Sequence, residues 1–147
     1  MTAQEHRIIR PKLFGILVLG LIGTAVELLF LGHDESLTQL VPLVLIATGI
    51  AVITWHMLKE SRSSLLVLRI TMVGFVAAGA LGVALHYQGS VDFQKEIDPS
   101  IQGFELFTKA MQSKAPPALA PAILAQFGLL GLVCTYRATS KGEKHEI

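Results

Sequence analysis

The sequence predicts an all-α, polytopic membrane protein. Four antiparallel transmembrane helices form one bundle, with an amphipathic periplasmic helix between the third and fourth. Three observations carry this. Of 147 residues, 52% are hydrophobic and only 16% charged, where an average soluble domain is about a quarter charged. The apolar residues gather in four stretches, 13–32, 40–58, 65–87 and 118–136. Lys and Arg gather on alternate sides of those stretches.

Each stretch has the length a membrane requires. A helix rises about 1.5 Å per residue, so about 20 residues cross a hydrocarbon core of roughly 30 Å. Within that core the backbone must satisfy its own hydrogen bonds, which selects helices. The first stretch follows a basic segment, 1–12, and carries one charge, Glu27. It exceeds the apolar core of a signal peptide and has no small-residue cleavage site after it, so it reads as an uncleaved span. The second has no Asp, Glu, Lys or Arg, the third has Arg69 and the fourth has none. Pro42 and Pro121 fall in the expected first turns of spans two and four, where proline is tolerated.

The outer loop, 88–117, is too long for a plain connector. Asp98-Pro99 reads as an N-cap followed by proline at the first helical position. Ile97, Ile101, Phe104, Phe107 and Met111 follow at helical spacing, with Gln102, Glu105, Lys109 and Gln112 between them. This predicts an amphipathic helix that covers the mouth of the bundle or lies on the bilayer surface. Ala115-Pro116-Pro117 ends it.

Charge sets the orientation. Arg7, Arg10, Lys12, Lys59, Arg62, Arg69, Arg137, Lys141 and Lys144 fall on one side, and Lys95, Lys109 and Lys114 on the other. The positive-inside rule then makes both termini cytoplasmic, including the 138–147 tail. Trp55 and Tyr136 mark the inner interface and Tyr87 the outer one. Arg69, one turn inside span three, is expected to snorkel to the inner headgroups. The expected location is a plasma membrane, read as a bacterial inner membrane.

Small residues indicate how the spans associate, because lipid gives helices little hydrophobic reason to do so. Gly74, Ala78 and Gly82 form a row at a spacing of four, with His86 next in line. Gly20, Gly23, Thr24 and Glu27 share a face of span one, and Ala118, Ala122, Ala125 and Gln126 a face of span four. These rows predict packing within the bundle, with homo-oligomerisation as the alternative.

Polar residues inside the apolar stretches are the functional candidates. Glu27 is expected to face the bundle interior, with His86 and Gln126 as partners, either as interhelical glue or as part of a proton or metal pathway. Glu27, His33 and His86 are the candidate metal donors, with Asp34, Glu35, Asp92, Glu96 and Asp98 nearby in sequence. His33 and His86 are also the one pair that meets the depth condition for a bis-His haem. His56 has no such partner, and Cys134 reads as a small core residue. No cofactor is assigned.

The composition and motifs limit the function classes. The net charge of +1 does not suit a protein that neutralises nucleic-acid phosphates. One cysteine excludes a disulfide framework and a dithiol redox site. The sequence has no GxSxG, Walker or GxGxxG motif at a suitable position. The expected partners are the lipid bilayer and a membrane protein or second copy of this chain. The first functional reading is a non-enzymatic accessory or assembly component working through helix contacts. The alternative is an ion- or ligand-handling protein with an outer-side pocket around Glu27, His33 and His86.

Overall fold

Local chemistry sets where each helix starts and stops. The computed structural model describes residues 3–112 and 119–136, and among them the fold is all-helical, with five helices and no strand. Helix α1, Ala3–Phe30, takes in residues 3–12 of the segment that composition marks as a tail. Its Gln, Glu, Arg and Lys residues are good helix formers, and Pro11 removes only one backbone donor. The helix ends in a Schellman motif. Gly32 adopts φ +64°, its N–H donates to the Leu29 carbonyl at 3.1 Å, and the His33 N–H donates to the Leu28 carbonyl at 2.9 Å.

Helix α2, Leu37–Leu58, starts earlier than the apolar stretch because Ser36 caps it. The Ser36 backbone is extended, and its hydroxyl accepts from the Gln39 N–H at 3.4 Å. Pro42 consequently sits in the second turn rather than the first. Helix α3, Arg62–Ile97, is 36 residues long, or about 54 Å at the usual rise. Residues 88–97, expected as loop, are therefore its continuation. No proline falls between Arg62 and Pro99, and the residue preceding a proline avoids the helical region.

The turn after α3 corrects the expected start of the amphipathic helix. Asp98 does not cap a helix. Its Oδ1 accepts from the Ser100 hydroxyl at 2.6 Å and from the Ser100 N–H at 3.0 Å. Those two bonds, the hydroxyl first, hold the Asp98 carboxyl below the ordinary aspartate range. Helix α4, Gly103–Met111, begins only after Gln102 runs extended and Gly103 adopts φ +62°. Ile97 thus belongs to α3, and Ile101 lies buried in the turn. Ala115, Pro116 and Pro117 lie outside the described residues.

Helix α5, Leu119–Cys134, has 16 residues, about 24 Å, short of a full hydrocarbon core. Three helical segments are long and apolar enough to cross a membrane: Ile8–Phe30, Leu37–Leu58 and Arg62–Ile97.

The chain divides into two compact units, Met1–Phe75 with Phe127–Ile147, and Val76–Gln126. In the first, α1 packs on α2. Its core is built from residues spaced alternately by three and four. These are Phe14, Leu17 and Leu21 on α1, Ile46, Gly49, Ile53 and His56 on α2, and Leu65, Leu68, Met72 and Phe75 on α3. A period of 3.5 is the seam of left-handed helix packing. Glycines let the seams close. A β-carbon on Gly20 would lie 2.8 Å from the Phe127 ring, one on Gly49 would lie 2.8 Å from Phe75, and one on Gly131 would collide with the Met72 sulfur. In the second unit, a β-carbon on Gly79 would lie 2.6 Å from the Ala125 nitrogen, and one on Gly82 would lie 2.8 Å from the Pro121 Cβ.

The small-residue rows need correction on this basis. Gly79 is buried, while Gly74 and Ala78 are half-buried. A strict spacing of four drifts about 40° per step around a helix, whereas alternating three and four stays on the seam. Gly82 and Gly20 do serve as close-approach positions. Gly23 does not: it is exposed, and a β-carbon there would meet nothing within 4 Å.

Candidate functional site

The seams decide where the polar candidates point. On α1 the buried residues are Phe14, Leu17, Leu21 and Leu28. Glu27 lies about 100° away from Leu28 and is exposed, so it does not face the interior. His86 and Gln126 are exposed as well, and His33 is half-buried at the end of α1. Glu27 and His33 belong to the first unit, His86 and Gln126 to the second. Among the described residues no group of three or more His, Cys, Asp or Glu is arranged to hold a metal ion. Cys134 is buried.

Gln126 has an unusual environment. It stands within the apolar run Pro121–Cys134, yet its side chain is exposed. Threonines on comparable surfaces are satisfied by their own helices. Thr48, Thr54 and Thr71 donate to the carbonyls of Val44, Ile50 and Val67 at 2.8, 2.8 and 2.9 Å. A carboxamide carries two donors and an acceptor, and among the described residues Gln126 makes no such side-chain bond.

The first unit contains a buried polar node at the α2–α3 link, built around His56 and Ser64. Ser61 and Ser64 form a capping box for α3. The Ser64 N–H donates to Ser61 Oγ, and the Ser61 N–H donates to Ser64 Oγ, both at 3.1 Å. The fully buried Ser64 hydroxyl donates to the Lys59 carbonyl at 2.7 Å. His56 Nδ1 lies 3.0 Å from the same Oγ. A hydroxyl has one proton, so the short bond to Lys59 makes His56 Nδ1 the donor and its Nε2 the acceptor end. Phe14 meets the imidazole edge-on, with ring centroids 6.1 Å apart. Chemically this is a joint rather than a nucleophile. Ser64 Oγ is inaccessible, and its proton is directed at a carbonyl.

A second contact, part-buried, lies between α3 and the end of α5. Arg69 Nη2 donates to the Thr135 carbonyl at 2.8 Å, so Arg69 binds its own chain rather than only reaching for headgroups. The Thr135 carbonyl is one of the orphan acceptors at a helix C-terminus, where a cation also complements the helix dipole. Thr135 itself is buried, its hydroxyl donating to the Leu132 carbonyl at 2.9 Å.

The sequence reading missed both contacts. The Ser-x-x-Ser spacing before an apolar run was the available signal for the capping box, with Ser in place of the usual Glu or Gln at its last position. The partnership of Arg69 with Thr135 spans 66 positions and has no local signature. No family model, curated protein or solved structure matches the chain.

Proposed function

We propose that this protein is a multi-pass inner-membrane component that works as a non-enzymatic accessory or assembly factor through helix–helix contacts. The observation that carries this reading is the exposed Gln126 amide on an otherwise apolar helix. In a bilayer an outward-facing carboxamide gains a hydrogen bond only from another helix, and such bonds hold helices together at about 0.6–1.7 kcal/mol each. The exposed Glu27 on α1 favours the same reading, since an ionisable group on a span surface is stabilised by a polar partner.

The arrangement in this reading has four crossings, with both termini cytoplasmic and α4 periplasmic. The contact of Arg69 with Thr135 supports a fourth crossing. It brings the end of α5 beside the start of α3, the end that the basic α2–α3 link feeds. The basic residues of that link support its cytoplasmic placement.

Photo-crosslinking in native membranes tests the function. A photoreactive residue replaces Leu129, exposed and three positions from Gln126. A discrete protein adduct is expected, its yield falling about three- to twentyfold with Gln126→Leu, the equivalent of roughly 0.6–1.7 kcal/mol. Lipid adducts alone, or an adduct indifferent to Gln126→Leu, would overturn the proposal.

A further inference from the structure

Helix α4 presents three different faces. Ala110 is fully buried and fixes the helix to its own unit, helped by buried Ile101 in the preceding turn. Glu105 and Lys109 form an exposed ion pair at 3.0 Å on a second face. On the third, Phe104 is 81% exposed and Phe107 47% exposed, their rings stacked with centroids 6.2 Å apart. A lid over the bundle would bury these rings, and in α4 it is Ala110 alone that is buried.

The depth of the aromatic face follows from one contact. The Phe107 ring lies 6.0 Å from the ring of Tyr87. Tyr87 closes the 65–87 apolar stretch, where tyrosine sits at the headgroup level of a span. From Tyr87, α3 runs ten residues further, about 15 Å, before the turn at Asp98. Helix α4 then returns far enough to set Phe107 back beside Tyr87. The exposed rings therefore sit at the depth of Tyr87, where the apolar stretch of α3 ends.

We propose that α4 is an interfacial helix that inserts Phe104 and Phe107 into the headgroup and upper acyl region of the bilayer beside Tyr87. The chemistry fits a lipid surface. Two adjacent aromatic rings provide apolar depth, while the Glu105–Lys109 pair stays on the wet side. The proposal rests on the membrane-spanning reading of α3, and its test separates the two.

The full chain, carrying Trp55→Phe, receives one new tryptophan at a time through Phe104→Trp, Phe107→Trp or Leu81→Trp. Each variant is reconstituted into phosphatidylcholine vesicles brominated either near the headgroup end of the acyl chain or near its middle. For Phe104→Trp and Phe107→Trp, shallow bromines are expected to remove at least about half of the emission and deep bromines much less. For Leu81→Trp, acyl-chain bromines are expected to quench throughout. Quenching at position 81 with none at 104 or 107 would overturn the interfacial helix and leave the spanning reading intact. No quenching at any of the three would overturn the spanning reading as well. The two α4 substitutions sit at exposed positions in separate variants, so misfolding of one leaves the other to decide.

Discussion

At the scale of single residues, the Ser64 side chain ties three parts of the first unit together. Its buried hydroxyl joins the end of α2, the cap of α3 and the His56 ring. Removing it leaves the His56 donor without that partner, while the Ser61 N–H and the Lys59 carbonyl keep their bond to each other at 2.6 Å. A buried group left unsatisfied costs about 1–3 kcal/mol. Ser64→Ala is therefore expected to destabilise the protein by about 1–3 kcal/mol, read as a lower denaturation midpoint in detergent micelles. Ser63→Ala, at an exposed position, is expected to stay within about 0.5 kcal/mol. Equal midpoints for the two variants would show that the buried node contributes nothing to stability.

At the scale of elements, the helices are defined by their seams and their ends. The close approach at Gly79 leaves no space for a side chain, because backbone atoms of Ala125 and Pro121 occupy it. Gly79→Val is expected to cost about 1–3 kcal/mol or more through overpacking. Gly23→Ala, in open surroundings within α1, is expected to be neutral or to stabilise by up to about 1 kcal/mol. Thermal unfolding of the two purified variants checks the contrast, and a tolerant Gly79 would refute this packing. Much of this level was legible in the sequence, because the apolar stretches locate the three long helices. Helix ends were less legible. The start of α2 depends on the Ser36 cap, and the length of α3 on Pro99, twelve residues beyond its apolar stretch. Seam phase was missed for Ala78 and Gly23, because a fixed spacing of four does not follow a 3.5-residue period.

At the scale of the whole molecule, an all-helical fold with long apolar helices was legible, and the direction in which the polar residues point was not. Hydropathy is a sum along the chain, so composition reports it directly. Which way Glu27, His86 and Gln126 point depends on helix rotation, which tertiary contacts set and one chain's composition does not. The topology remains the most decisive property to measure. With four crossings, a reporter fused after Ile147 and one placed in the 59–61 link are both expected to be cytoplasmic, and one placed at 33–36 external. An external reporter after Ile147 would mean three crossings, with α5 outside the span count. The 3.5-residue seam also governs how this gene can change length. One codon added inside α2 or the first half of α3 would turn everything beyond it by about 100°, swapping core for surface. Codons added between Asp34 and Glu35 would not, whereas any added at 59–61 would pull apart the Lys59, Ser61 and Ser64 bonds, so descendants of this sequence can grow at the α1–α2 joint while their rods stay fixed in length.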